Sequence, residues 1–149
     1  MSYMNHVPGK LTYLPNDLSK FKGKTNPQCR SKWEYKFCEW CDKNANVIMW
    51  SSEPLNIPYI DKFTGRSRQY FPDFVLKIKD KYKQEVTWVV EIKPFKETQQ
   101  PSISNNKSTK SLITEKQTWI KNLAKWNAAE KYCRMRGWKF KILTERELF

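Results

Sequence analysis

Three residues of this sequence combine reactive side chains with a telling spacing. Asp73 stands in Tyr70-Phe71-Pro72-Asp73-Phe74, and Glu91 and Lys93 stand in Val89-Val90-Glu91-Ile92-Lys93. Glu91 interrupts a stretch from Val86 to Ile92 that is apolar at both alternating positions, the pattern of a strand covered on both faces. A carboxylate suits such a strand poorly and is costly to bury without a partner. Two positions apart on a strand, Glu91 and Lys93 project from one face. Alone they would be a simple ion pair. Asp73 changes that reading. It follows Pro72 at the start of a neighbouring strand, and pairing would set a second carboxylate beside Glu91. Two adjacent carboxylates repel and raise each other's pKa unless a cation sits between them. Hard oxygen donors suit Mg2+, with Mn2+ able to substitute. Such an ion polarises a phosphate oxygen, lowers the pKa of water and stabilises a leaving 3′ oxygen. Lys93 would hold the attacking water and neutralise charge at phosphorus. The chemistry is phosphodiester hydrolysis.

The elements that must position these groups can be read along the chain. Residues 1–25 carry Pro8, Gly9, Pro15 and Gly23 among lysines with no sustained period, and read as an irregular basic arm. Asn26-Pro27 resembles an N-cap followed by proline at the first helical position. Cys29, Trp33, Phe37, Trp40 and Cys41 then mark one apolar face of a helix ending near Lys43. Val47–Trp50 is a short apolar run, and Ile57–Ile60 reads as an edge strand containing Pro58. Thr64-Gly65 marks a hairpin turn. Tyr70–Lys79 alternates in its second half, with Phe74, Leu76 and Ile78 on one face, and Lys81–Gln84 is a charged turn before the Val86–Ile92 strand. Residues 95–111, rich in Ser, Asn, Thr and Lys, read as a flexible basic loop. A long helix follows from Leu112 to Arg136 and ends at Gly137, and WKFKIL from Trp138 to Leu143 alternates as a last strand. The order predicts an α/β domain with a mixed sheet.

Bulk properties bound the partners. The 149 residues suit one domain, and 28 basic against 15 acidic residues leave a net charge of +13. That imbalance points to a polyanion, and its spread along the whole chain favours nucleic acid over a membrane surface. No apolar run reaches the roughly 18 residues a membrane span needs, and the N-terminus lacks the apolar core of a secretory signal. Cys29, Cys38, Cys41 and Cys133 are therefore expected as reduced thiols. Cys38 and Cys41 form a C-x2-C, but the one histidine, His6, is remote, so small buried apolar residues are a better reading than zinc.

Pro72-Asp73 followed by Glu91-Ile92-Lys93 on the next strand resembles the PD-(D/E)XK nuclease superfamily. The resemblance implies a single restriction-endonuclease-like domain, here residues 26–149 behind the arm, with an αβββαβ core and a mixed sheet flanked by helices. It implies a metal held by Asp73, Glu91 and the backbone carbonyl of Ile92. It also implies a glutamate on the helix before the sheet, which Glu34 would supply on the border of the apolar face. Glu34 has a second reading, because Ser31-x-x-Glu34 is a capping box. Over nearly its whole length the chain is also similar to the head completion nucleases of T-even-type tailed phages. The similarity rests on RSKWEY at Arg30–Tyr35, YFPDF at Tyr70–Phe74, VVEIKP at Val89–Pro94 and ILTE at Ile142–Glu145. That family implies action on packaged DNA at the portal end of the head, with portal or neck proteins as partners. It implies the host cytoplasm as the site of assembly, with the virion as a second location.

The basic residues Arg66, Arg68, Lys96, Lys107 and Lys110 fall in stretches beside the expected site, where they would grip phosphates without reading sequence. The seven tryptophans stand mostly at helical or strand spacing, which favours core packing over base stacking. The reading is an endonuclease acting on DNA ends, flaps or branches. Its rivals are a non-catalytic DNA-binding plug of the phage head and a repair or junction-resolving nuclease of the same fold.

Overall fold

The computed structural model describes residues 6–103 and 106–148, with the backbone alone for residues 6–10. The first five residues of the expected arm, the His6 side chain, residues 104 and 105 of the expected loop, and Phe149 lie outside the described residues. In chain order the elements are β1 (His6–Thr12), β2 (Gln28–Ser31), α1 (Lys32–Lys43), β3 (Val47–Ser52) and β4 (Ile57–Ile60). There follow β5 (Ser67–Tyr70), β6 (Phe74–Lys79), β7 (Glu85–Ile92), α2 (Thr109–Arg136), β8 (Lys139–Leu143) and α3 (Glu145–Leu148).

The main sheet runs β3-β6-β7-β8. The first three strands are antiparallel neighbours, and β8 joins β7 in parallel after the α2 crossover. Taking α1, β3, β6, β7, α2 and β8 in turn gives αβββαβ, with the β4–β5 hairpin inserted after β3. This is the mixed α/β architecture expected from the sequence.

The local causes are visible. Ser31 caps α1 by accepting the Glu34 amide at 3.1 Å, and Trp33, Phe37, Cys38 and Cys41 turn inward every third or fourth residue. They pack on Trp50, Phe74, Leu76, Ile78, Val90 and Ile92 from the sheet, forming the main core. Truncating a ring as enclosed as Phe37 would cost about 3–5 kcal/mol. A second cluster joins Ile57, Tyr59 and Tyr70 of the hairpin to Trp126 and Ala129 of α2. Gly65 and Gly137 take left-handed backbone (φ 72° and 71°) at the hairpin turn and the end of α2, where glycine carries no steric penalty.

Several sequence expectations are corrected. The helix starts at Lys32 and not after Asn26-Pro27, because residues 28–31 are drawn into antiparallel pairing with β1. Cys29 accordingly belongs to β2, although it is buried as expected, and Cys38, Cys41 and Cys133 are buried thiols too. Nor is the segment before residue 25 irregular throughout, since β1 runs to Thr12. The Tyr70–Lys79 stretch holds the end of one strand, β5, and the whole of the next, β6, parted at Phe71-Pro72-Asp73 where proline cannot donate to a ladder. The 95–111 stretch is less loop than expected: a 3-10 turn spans Phe95–Thr98, and α2 begins at Thr109 under a Ser108 cap.

The N-terminal segment is tied to the body through Asp42, a buried carboxylate near the end of α1. It accepts the Tyr13 hydroxyl at 2.6 Å and the amides of Asn16 and Asp17 at 2.7 and 3.0 Å. Burial alone would raise its pKa, but these donors and Lys20 hold it below the ordinary range. Lys20 also donates to the carbonyls of Asp42 and Asn44, satisfying the C-terminal end of α1. The neighbouring Phe21 bridges to Trp50 and covers the outer edge of β3.

Candidate active site

Pairing of β6 with β7 sets Phe74 opposite Val90, so the next step along both strands sets Asp73 against Glu91. The break at Phe71-Pro72 is what lets Asp73 turn inward at the mouth of β6. Its Oδ2 accepts the Ile92 backbone N–H at 2.7 Å. Glu91, only 7% exposed, has Lys93 as its ion-pair partner, with Nζ to Oε2 at a loose 3.9 Å. Glu34 reaches the same place from α1, where its Oε2 accepts the Ser31 hydroxyl at 3.2 Å.

Burial, then the Glu91 charge, push the Asp73 carboxyl well above the ordinary range against the pull of the Ile92 amide and Lys93. Burial likewise raises Glu91, opposed first by Lys93. Glu34 is pushed up to about 7 by burial and by Asp73. The Tyr70 hydroxyl faces this cluster from the end of β5, buried and without a closed hydrogen bond, and its pKa is driven up by burial and by Glu91. Three carboxyls and a phenol thus share one poorly solvated place with one ammonium directly paired to them. The donor set is short of positive charge, and a hard divalent cation would supply it. Among the described residues no three His, Cys, Asp or Glu side chains are grouped to hold an ion by themselves. The side-chain donors that would face such an ion are therefore the Asp73–Glu91 pair, and backbone or water oxygens would have to supply the rest.

These groups line a cavity of about 1290 Å3, shared with the segment after Pro94 and one face of α2. The structure brings Glu34, Asp73, Glu91, Ile92 and Lys93 together there, as well as Lys96 and Lys107. The Lys107 ammonium is already bonded to Glu115 at 2.8 Å and to the Ser102 carbonyl at 3.2 Å. Arg66, Arg68 and Lys110 do not line the cavity. Arg68 donates through Nε to Asp61, 2% exposed, at 2.9 Å, and so braces the β4–β5 hairpin. Sequence reasoning missed Arg30, Tyr70, Asn122 and Lys125, all of which line the cavity. A signal for the last two existed: Glu115, Thr118, Asn122 and Lys125 recur at three- and four-residue steps, a polar stripe through a helix whose other spacing is apolar.

Residues 44–145 match the family of TnsA-like endonuclease N-terminal domains. The chain belongs to this endonuclease family. The match runs from the end of α1 to the start of α3, so the TnsA-like region contains Asp73, Glu91 and Lys93, while Glu34 precedes it. The chain is also 42% identical over 137 residues to the head completion nuclease of Enterobacteria phage T4, with 89% of each chain covered. This TnsA-like chain is an endonuclease, and the Asp73–Glu91–Lys93 cavity is its candidate cutting site.

Proposed function

We propose that the chain is a Mg2+-dependent endodeoxyribonuclease, with Mn2+ able to substitute, that trims DNA during phage head completion after packaging. The observation that carries this reading is the pair of facing carboxylates, Asp73 half-buried and Glu91 buried, set beside Lys93 on a large cavity of a strongly basic chain. Asp73, Glu91 and the Ile92 carbonyl would hold the ion, and Glu34 would orient it directly or through water. Bound there, the ion supplies Lewis acidity toward phosphate and acidifies water. Lys93 positions the attacking water and offsets charge as it builds at phosphorus. Through its ion pair at 3.9 Å, Glu91 holds Lys93 turned toward the site.

Binding rests on backbone charge and DNA shape, through Lys96, Lys107 and Lys110 near the cavity and Arg66 and Arg68 on the hairpin. DNA ends, flaps and branches fit best, because a free or unpaired strand bends into the cavity at lower cost than continuous duplex. The relative's name places that protein in head completion; portal or neck proteins are the partners this reading adds. Assembly would take place in the host cytoplasm, and the protein would persist in the virion only if it stays at the portal. No helix among the described residues is long and apolar enough to cross a membrane.

The deciding experiment incubates the pure protein with linear, flapped, branched and closed circular DNA in Mg2+, Mn2+ or EDTA. Cleavage of the first three, weak cutting of circles and silence in EDTA are expected. Binding without cleavage under every condition would instead favour a DNA-binding plug of the head.

A further inference from the structure

Asn122 and Lys125 stand one turn apart on the face of α2 that borders the cavity. Asn122 is 7% exposed, yet its carboxamide makes no hydrogen bond among the described residues. Its amide atoms are not sealed from solvent, so the carboxamide is open to a ligand in the cavity. Lys125 is half-buried and has no carboxylate within ion-pair distance among the described residues; its ammonium lies over the Tyr59 ring, 5.9 Å from the centroid. It nevertheless lies close enough to feel Lys93 and Glu91. Two ammonium groups thus converge on the cavity, one loosely paired and one with no ion-pair partner among the described residues, beside an amide with no side-chain hydrogen bond among them. Facing carboxylates call for a cation; facing ammoniums call for an anion. The cavity, at about 1290 Å3, exceeds the roughly 300–1,000 Å3 that encloses a small ligand. It has room for more of a strand than the phosphate being cut.

We propose that Asn122 and Lys125 together grip a second phosphodiester of the bound strand, so that α2 fixes where along the backbone the cut falls. Both are positioning residues: Lys125 supplies charge and Asn122 a neutral donor to non-bridging oxygens. This rests on the reading of the cavity as the place where DNA is cut.

The test uses the full chain, a flapped duplex DNA, and the variants Lys125→Gln, Lys125→Arg, Asn122→Ala and Asp73→Ala. Affinity is measured by anisotropy in EDTA across a salt series, and turnover in Mg2+. Lys125→Gln should weaken binding about tenfold and reduce the slope of log affinity against log salt by about one. The loss should appear in KM more than in kcat, and Lys125→Arg should recover most of it. Asn122→Ala should weaken binding without changing the slope. An unchanged slope in Lys125→Gln, or a fall in kcat with affinity intact, would overturn the proposal. Should Asn122→Ala not fold, the half-exposed Lys125 still decides. Failure of the site reading is separable, since it would show as cutting that survives in Asp73→Ala, whereas the slope in EDTA does not depend on cleavage.

Discussion

Asp73 and Ile92 are joined by a 2.7 Å hydrogen bond from the Ile92 backbone N–H to Oδ2 of the carboxylate. Ile92 sits between Glu91 and Lys93, so this one bond aligns the start of β6 with the strand segment that carries both other residues of the site.

That geometry separates two substitutions that are usually treated alike. Asp73→Asn keeps an oxygen for the Ile92 amide and removes a charge that burial and Glu91 both oppose. It should abolish cleavage and raise the melting temperature of the metal-free protein. Asp73→Ala should be equally inactive, but it orphans the amide at a cost of about 1–3 kcal/mol, so its melting temperature should lie below that of Asp73→Asn. Both should still bind DNA. Detectable turnover in either, or the reverse order of melting temperatures, would overturn the assignment.

Lys93→Met should reduce turnover by at least a hundredfold, as expected for a lost charge-stabilising group. It should leave Mn2+ affinity nearly unchanged, because an ammonium is not a ligand. Titration calorimetry decides this. A drop in affinity matching that of Glu91→Ala would mean that Lys93 serves only to hold Glu91 in place.

Glu34 makes the pH dependence of the metal-free protein informative. Its folded pKa rises from 4.5 to about 7. Between those values the folded chain binds more protons than the unfolded chain, so stability is lost as pH rises through that window. Glu34→Gln should flatten the decline, give a higher melting temperature at pH 7 than the parent, and keep the cap on α1. If Glu34 also serves the ion, the same variant should bind Mg2+ more weakly. Identical pH profiles for parent and variant would remove Glu34 from the electrostatics of the site.

Whether residues 1–25 are an appendage to a 26–149 domain is open to a direct test. Tyr13, Asn16 and Asp17 all bond Asp42, and Phe21 bridges to β3. Tyr13→Phe removes one donor to a buried carboxylate and should cost about 1.5–3 kcal/mol, read by denaturant unfolding. Deleting residues 1–25 should cost more than that. A truncated protein as stable as the parent would make the segment a detachable arm.

Much of this molecule could be read from local pattern. The doubly apolar Val86–Ile92 run is an interior strand, α2 stops at Gly137, and the hairpin turns at Gly65. Each of these rests on the residue's own neighbours. The misreadings come from partners distant in sequence. Asn26-Pro27 is a sound cap signal, but β1 recruits the next four residues into a strand and leaves the capping to Ser31. The brace from Arg68 to Asp61 was hidden in the same way, because it forms only when the hairpin closes. Asp73, Glu91 and Lys93 were legible because buried charge in an apolar strand is conspicuous; Asn122 and Lys125 were not, because polar residues on a helix are ordinary until the cavity is known.

The strand that bears Glu91 has neighbours of very different origin. Its antiparallel partner β6 precedes it across a short turn, whereas its parallel partner β8 comes 47 residues after Ile92, and Lys93 donates to the Leu143 carbonyl only once β8 is docked. Glu145 then closes the arrangement by accepting the Phe95 amide at 2.7 Å. During synthesis the β6–β7 hairpin leaves the ribosome with one backbone edge open, while the whole of α2 is still to be made. The candidate centre is therefore assembled late: an incomplete nascent chain has both carboxylates in hand but lacks the β8 carbonyl that holds the Lys93 backbone, and translation itself delays completion of the fold around it.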